Sequence, residues 1–135
     1  MVKPKLISRG AEATLEKMSI FGKNVMKKTR VEKGYRHPAL DSRLRKERMA
    51  HEARMLHHVK TIGIRTPILF MADSHEMALY MEFIDAPRLK HTLKKNKKIC
   101  ERLCEELGRQ IAQLHAHNII HGDLTTSNVL VETKK

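Results

Sequence analysis

Two polar side chains five residues apart, Asp123 and Asn128, have the types and the spacing needed for phosphoryl transfer. An aspartate in such a loop orients or deprotonates an attacking hydroxyl group. An asparagine a short turn later gives its side-chain oxygen to a magnesium ion that bridges nucleotide phosphates. Apolar residues at 119–120 and 129–131 flank the loop. The alternative interpretation is a polar turn between two short strands, in which both side chains only satisfy backbone groups.

Charge and composition limit the classes of protein to consider. The 135 residues contain no apolar run of membrane-spanning length and no signal-peptide stretch at the N-terminus, so we expect a cytoplasmic protein, or in a eukaryote also a nuclear one. Residues 1–48 carry 14 basic and 5 acidic side chains, most of the net charge of +12. This excess favours attraction to nucleotide phosphates or an RNA backbone, whereas a solvated surface is the alternative interpretation.

Hydrophobic patterns predict a sheet with a helix inserted into it, followed by helices. Strands are predicted at 5–8, 13–19, 25–31, 68–72 and 77–84. The inserted helix is predicted at 43–60, capped by Asp41 or Ser42. After a break at 85–87, a short helix is predicted at 88–97 and a longer one from 99 to about 117, with a clear apolar face.

The third strand and the inserted helix each carry a residue that could take part in phosphate binding. Alternation places Met26, Lys28 and Arg30 on one face of the strand. A lysine there can reach the α and β phosphates of a nucleotide, although lysines are also common on solvated edge strands. Glu52 lies beside the apolar stripe of the helix and could pair with this lysine, or equally with a basic neighbour on its own helix.

These features together resemble the protein-kinase fold, whose catalytic loop has the pattern H-R-D-L-x-x-x-N; the sequence at 121–128 is H-G-D-L-T-T-S-N. More narrowly, the chain resembles the PRPK family, the small atypical, RIO-like kinase/ATPase subunit of the KEOPS complex. This closer resemblance rests on the Gly-Ala-Glu-Ala turn at 10–13, the Lys-Gly-Tyr-Arg-His-Pro connector at 33–38 and the Thr-Thr-Ser segment of the loop. The connector argues against a third candidate, a small-molecule phosphotransferase.

The resemblance implies an α+β, protein-kinase-like fold in two parts. Residues 1–84 would form a five-stranded antiparallel N-lobe with one helix, and residues 85–135 a hinge and an incomplete helical C-lobe. No Asp follows Asp123, although kinases place a second magnesium ligand, the Asp of a D-F-G motif, after the catalytic loop. We therefore expect a chain truncated before that motif, with weak activity or none.

The resemblance also implies roles for individual residues. Lys28 would hold the α and β phosphates and pair with Glu52, with Lys27 as the substitute if the strand register is shifted by one residue. Asp123 would be the catalytic base or water-orienting group, and Asn128 a magnesium ligand. The remaining nucleotide-binding residues would be those of the turn, Gly10, Ala11, Glu12 and Ala13, and those around the hinge, Met81, Glu82, Phe83 and Ile84.

From the family we expect an ATP- and Mg²⁺-dependent serine/threonine protein kinase or ATPase of the KEOPS complex, which supports threonylcarbamoyl-adenosine modification of tRNA. Its partners would be the KEOPS subunits, chiefly the tRNA threonylcarbamoyl-transferase subunit, with tRNA bound through the basic N-lobe and no membrane involved. A non-catalytic scaffold or tRNA-binding module, which keeps the basic lobe without the chemistry, is the alternative from another class.

Overall fold

The computed structural model describes residues 4–93 and 97–132, and the chain divides into two compact units, Met1–Phe83 and Ile84–Lys135. The first unit contains β1 (Lys5–Arg9), β2 (Ala13–Ile20), β3 (Lys23–Arg30), α1 (Pro38–Thr61), β4 (Leu69–Asp73) and β5 (Ala78–Glu82). The second contains α2 (Leu89–Thr92) and α3 (Lys97–Ala116). Within the described ranges, no helix combines the length and the apolar character needed to cross a membrane.

The five strands form one antiparallel sheet in the order β1-β2-β3-β5-β4, with α1 inserted between β3 and β4. This confirms the predicted five-stranded antiparallel sheet with one helix. The turn between β2 and β3 is shorter than the gap between the predicted strands 13–19 and 25–31. It can be short because Phe21 and Gly22 both adopt left-handed backbone angles, φ 49 and φ 75. Two such residues reverse the chain with the twist that paired strands need. As a result β3 begins at Lys23.

Helix α1 begins five residues before the predicted start, and neither Asp41 nor Ser42 caps it. His37 is the N-cap, where its Nδ1 accepts a hydrogen bond from the Ala39 N–H at 3.3 Å, and Pro38 occupies the first helical turn. Proline disfavours helix in the residue before it but suits the first turn itself, because the N–H that it lacks would have no partner in the helix. The sequence prediction applied only the first of these two effects.

The core of the first unit lies between α1 and one face of the sheet. Met49 of α1 packs with Leu79 and Met81 of β5, and Met26 of β3 lies against this cluster. Leu79 is 1% exposed. Full burial of such a side chain contributes roughly 1.5–3 kcal/mol. This cluster holds α1 against the face of β3 that carries Met26.

Asp41 is the one buried charged residue that the structure describes, and it joins the connector at 33–38 to the first turn of α1. Its carboxylate accepts hydrogen bonds from Arg45 Nε at 2.6 Å and from the Lys33 backbone N–H at 3.3 Å, and it lies 3.4 Å from Arg36. Burial alone would raise the Asp41 pKa, but the hydrogen bonds from Arg45 and Lys33 and the two arginine charges together lower it below 3.8.

We expect Asp41→Asn to lower the midpoint of thermal unfolding by roughly 5 °C or more, because it leaves Arg45 and Arg36 near an uncharged group. A folded pKa below the ordinary aspartate value means that the carboxylate stabilises the fold at pH values above that ordinary value and loses this effect as the pH falls through the folded pKa. The difference between variant and parent should therefore be largest near pH 7 and shrink as the pH falls below the ordinary aspartate pKa of about 3.9. Thermal melts across this pH range, monitored by circular dichroism, measure it.

The matched control is Glu47→Gln, which removes an exposed ion pair to Arg43 on the same helix. Exposed pairs of this kind contribute little, so the control should melt close to the parent. An Asp41→Asn variant that melts like this control at neutral pH would contradict the importance of the buried carboxylate.

In the second unit, α3 carries the predicted apolar face, formed by Ile99, Leu103, Leu107, Ile111 and Leu114. Of these five residues only Leu114 is buried among the described residues, and Ile99 is 39% exposed. The predicted short helix at 88–97 is observed as α2 over Leu89–Thr92, and positions 94–96 lie outside the described residues. The segment after α3 returns to α2: the Leu89 N–H donates to Val129 O at 2.8 Å and the Lys90 N–H to Thr126 O at 3.0 Å. These bonds hold the loop at 119–131 beside the start of α2.

Candidate functional site

Strand β3 presents its two adjacent lysines to opposite faces of the sheet. Lys28 lies opposite Leu79 of β5, on the face that α1 covers, and Lys27 lies opposite Tyr80 on the other face. The predicted alternation along this strand is therefore confirmed. Of these two lysines, only Lys28 lies on the side of the sheet that α1 covers.

Lys28 and Glu52 form an ion pair, with Lys28 Nζ donating to Glu52 Oε1 at 2.6 Å. Arg30, two residues along the same face of β3, donates from Nη2 to the other oxygen, Glu52 Oε2, also at 2.6 Å. Sequence reasoning placed Arg30 on this face but gave it no role. The alternation that selected Lys28 could also have identified Arg30, because both side chains lie on the face of β3 that is beside Glu52.

The substitute register, with Lys27 in place of Lys28, does not agree with the structure. Lys27 Nζ lies 2.6 Å from Glu76 Oε2, and the Tyr80 hydroxyl donates to the same oxygen at 2.7 Å. The hydrogen bond to Glu76 raises the pKa of Lys27, and the hydrogen bond from Lys27 lowers the pKa of Glu76. Lys27 therefore belongs to a separate polar cluster on the far face of the sheet.

The predicted phosphate turn, residues 10–13, joins β1 to β2, and its first N–H donates to its last carbonyl oxygen at 2.9 Å. Glu12 accepts a hydrogen bond from Arg48 of α1 at 2.8 Å and lies 3.8 Å from Lys33 Nζ. Lys33 Nζ also donates to Ala11 O. The turn is thus connected both to α1 and to the connector by the one acidic residue that it contains.

The predicted hinge begins at the end of β5. The Glu82 N–H donates to Ile68 O at 2.8 Å and the Phe83 N–H to Asn24 O at 3.3 Å. The Glu82 carboxylate accepts two hydrogen bonds from Arg65, each 2.8 Å long, and these bonds lower the pKa of Glu82. Both N–H groups are therefore engaged within the first unit. Met81, which was predicted to lie near the hinge, is 7% exposed in the core cluster.

In the second unit, Asp123 and Asn128 are joined directly. Asn128 Nδ2 donates to the Asp123 carboxylate at 3.1 Å and to the Asp123 carbonyl at 2.9 Å. The Asp123 N–H donates to His121 Nδ1 at 3.3 Å. No paired strands flank this loop among the described residues, where 119–131 forms only an isolated bridge between Leu130 and Arg88. The alternative interpretation, a polar turn between two short strands, is therefore wrong about the strands.

The glycine of this loop occupies a position that a side chain would strain. Gly122 has φ 76, in the left-handed region that favours glycine. The H-R-D pattern has an arginine at this point, and an arginine here would require a different local backbone. The glycine that replaces the arginine of the common kinase pattern thus lies at a position with a left-handed backbone.

The donor atoms of the loop suit a magnesium ion. Because Asn128 uses its amide nitrogen to hold Asp123, its Oδ1 remains as an oxygen ligand of the kind that Mg²⁺ prefers. Among the described residues, no cluster of three or more His, Cys, Asp or Glu side chains could hold a metal ion without further ligands. Mg²⁺ commonly completes its shell with water and nucleotide phosphates, so this set fits nucleotide-bound magnesium rather than a metal site made of protein alone.

A strand lysine that pairs with a glutamate of the inserted helix, together with an H-G-D-L-x-x-x-N loop, defines a protein-kinase-like domain. Comparison with known proteins agrees: the family model for the protein kinase domain matches residues 16–135. The chain belongs to the protein kinase family. The N-lobe sheet and helix predicted from sequence are confirmed with it.

Within that family the chain is similar to Bud32 subunits of the KEOPS complex. It is 42% identical to "EKC/KEOPS complex subunit bud32" of Dictyostelium discoideum, over 93% of this chain and 52% of the relative. It is 43% identical to "KEOPS complex subunit Bud32" of Pyrococcus abyssi, over 97% of this chain and 63% of the relative. These relatives confirm the predicted resemblance to the small KEOPS kinase. The chain spans between about half and two thirds of their length.

A second kind of relative is a longer protein. The chain is 39% identical to a "Probable bifunctional tRNA threonylcarbamoyladenosine biosynthesis protein" of Methanobrevibacter smithii, over 96% of this chain but 23% of that protein. In that relative a Bud32-like segment is therefore part of a polypeptide whose name assigns it to tRNA modification.

Proposed function

We propose that the chain is the nucleotide-binding part of an ATP- and Mg²⁺-dependent atypical serine/threonine protein kinase or ATPase. The observation that carries this proposal is the 2.6 Å contact between Lys28 Nζ and Glu52 Oε1 in a member of the protein kinase family. A lysine held in this way from a strand is oriented for the α and β phosphates of a nucleotide. An unpaired surface lysine would have no fixed direction.

The loop of the second unit supplies the other groups that phosphoryl transfer needs. Asp123 accepts the proton of an attacking hydroxyl group or orients water, and its carboxylate is held for this task by Asn128 at 3.1 Å. Asn128 Oδ1 would hold Mg²⁺, which when bound neutralises the charge of the β and γ phosphates. Serine or threonine as the acceptor of a transferred phosphoryl group, with ATP hydrolysis as the alternative reaction, is part of the proposal.

We further propose that the protein acts in a KEOPS complex, chiefly with the tRNA threonylcarbamoyl-transferase subunit, and supports threonylcarbamoyl-adenosine formation in tRNA. The names of the relatives support membership of a KEOPS complex and this pathway, and the choice of partner subunit is part of the proposal. A cytoplasmic location, shared with the nucleus in a eukaryote, is part of the same proposal. In the bifunctional relative, the Bud32-like segment is part of a longer polypeptide. A single polypeptide of this kind agrees with a stable contact between separate subunits in other KEOPS complexes.

Titration of magnesium–ATP into the purified chain, followed by calorimetry, tests the nucleotide site. We expect saturable binding with one nucleotide per chain that weakens when EDTA removes Mg²⁺, because the metal links Asn128 to the phosphates. Heats indistinguishable from dilution, in a chain that melts cooperatively, would contradict the proposal.

A tRNA-binding role is favoured by a separate observation, the excess of basic residues in the first unit. Lys46 and Arg54 are exposed two turns apart on α1. We expect the double variant Lys46→Glu, Arg54→Glu to weaken tRNA binding. The dependence of log K on log salt should also fall, by about one unit for each phosphate that the two side chains no longer neutralise. Electrophoretic mobility shifts at several salt concentrations measure both effects.

The matched control is Arg109→Glu, which reverses an exposed charge on α3 in the second unit. Equal weakening by this control would mean that net charge alone drives the binding. If tRNA binds with the expected salt dependence while magnesium–ATP does not bind at all, the chain is a tRNA-binding scaffold, as the non-catalytic alternative predicts.

A further inference from the structure

Glu52 is shared between two cations, and this sharing changes the charge available at the lysine. Lys28 Nζ takes Oε1 and Arg30 Nη2 takes Oε2, each at 2.6 Å. One carboxylate between two cations leaves the three-residue cluster with a net charge of about +1 at neutral pH. A lysine and glutamate alone would be neutral.

The three side chains differ in their access to solvent. The Lys28 side chain is 29% exposed, the Glu52 side chain 23% and the Arg30 side chain 15%. The surplus positive charge is therefore most accessible at the Lys28 ammonium group. Arg30 is the least exposed of the three, and its Nη2 also reaches the Arg48 carbonyl of α1 at 3.5 Å.

Arg30 is not placed as a purely stabilising residue would be. Its Nε is buried and, among the described residues, has no hydrogen-bond partner. An unpaired buried donor is unfavourable, and buried ion pairs can often be replaced by apolar residues without loss of stability. Packing alone would thus be served equally well by methionine or leucine at this position, so the charge itself requires an explanation.

We propose that Arg30 is a positioning residue for phosphate binding. By occupying Glu52 Oε2, it keeps α1 attached to β3 without depending on Lys28, and it offsets the carboxylate charge that would otherwise hold Lys28 back from an anion. The ligand is the phosphate chain of a nucleotide, and this inference rests on the nucleotide-binding function proposed above. It adds a second cation to the lysine–glutamate pair and assigns it a role in affinity.

The test compares a ligand that has phosphates with one that lacks them. Magnesium–ATP affinity is measured by calorimetry, and adenosine affinity by its competition with a fluorescent ATP analogue. We expect Arg30→Met to weaken magnesium–ATP binding by on the order of tenfold, because Glu52 then holds Lys28 back from the phosphates and the cluster loses its surplus charge. Adenosine affinity should stay within about twofold, and Arg30→Lys should restore much of the ATP affinity.

A double-mutant cycle separates action through Lys28 from an independent effect. In a Lys28→Met background, Arg30→Met should weaken magnesium–ATP binding by less than about threefold further, because the residue through which it acts is gone. Arg109→Met is the control for removing an arginine that contacts two carboxylates, and it should change neither affinity. If Arg30→Met does not fold by circular dichroism, Arg30→Gln is measured in the same way.

Two results would overturn the inference. Equal loss of ATP and adenosine affinity would give Arg30 a general structural role, and full additivity with Lys28→Met would show that it does not act through the lysine. Failure of the proposed function itself has a different signature. In that case the parent chain does not bind magnesium–ATP, or Lys28→Met leaves its affinity unchanged.

Discussion

Lys28→Met is expected to weaken magnesium–ATP binding between about tenfold and a hundredfold. Hydrogen bonds that involve a charged group contribute about 1.5–3 kcal/mol each, and 1.4 kcal/mol corresponds to a tenfold change in affinity. Methionine keeps the length and the apolar stem of lysine, so the change removes the charge with little change in packing. Calorimetric titration of the variant against the parent measures the effect.

The adjacent residue provides a matched control for this experiment. Lys27→Met also removes a lysine from β3 that makes a 2.6 Å ion pair, but the pair is with Glu76 on the opposite face of the sheet. We expect it to lower stability slightly and to leave nucleotide affinity within about twofold. Equal loss of affinity in both variants would contradict the assignment of Lys28, because only non-specific charge could act from both faces.

The sheet, the Lys28–Glu52 pair and the Asp123–Asn128 pair were predictable because each depends on a repeat or a short spacing in the sequence. A two-residue repeat along β3 fixes which lysine faces α1, and a helical repeat along α1 fixes that Glu52 lies at the edge of the buried stripe. The five residues of separation between Asp123 and Asn128 bring their side chains together within one loop. For these pairs, spacing in the sequence limits distance in space.

The features that were missed have different causes. Arg30 lies on the face of β3 that selected Lys28, so the pattern could have indicated its contact with Glu52, whereas Glu12 and Arg48 are 36 residues apart and no local pattern indicates that they touch. Asp41 was predicted as a helix cap because its type suits one. Its role depends instead on hydrogen bonds from Arg45 and from the Lys33 backbone. Because the Asp41 carboxylate is buried, it needs such partners to compensate for the loss of water.

The departure from the common kinase loop has a local explanation that sequence alone did not provide. The absence of arginine at position 122 could be noted from the sequence, but the left-handed backbone, φ 76, is a property of the folded loop. That backbone is followed directly by Asp123, whose N–H turns back to His121 at 3.3 Å. Glycine here is thus part of how the loop presents its carboxylate.

This presentation makes Asp123 the residue whose loss should cost the most in rate. Asparagine has the same shape but cannot accept the proton of a hydroxyl group. We expect Asp123→Asn to lower ATP turnover by about 10²–10⁴-fold, the usual contribution of a general base, and to leave magnesium–ATP affinity within about twofold. ADP formation at saturating magnesium–ATP measures turnover by either reaction, and phosphate release in the same samples, with and without a protein acceptor, distinguishes hydrolysis from transfer.

The comparison with Glu101→Gln, which neutralises an exposed carboxylate on α3, separates the chemistry of Asp123 from the effect of one missing negative charge. That control should turn over ATP like the parent. Turnover by Asp123→Asn within tenfold of the parent would exclude Asp123 as the base. A parent chain that binds magnesium–ATP but forms no ADP would agree both with the weak or absent activity expected from the sequence and with the non-catalytic alternative. In that case Lys28→Met would still weaken nucleotide binding, whereas Asp123→Asn would have no rate to change.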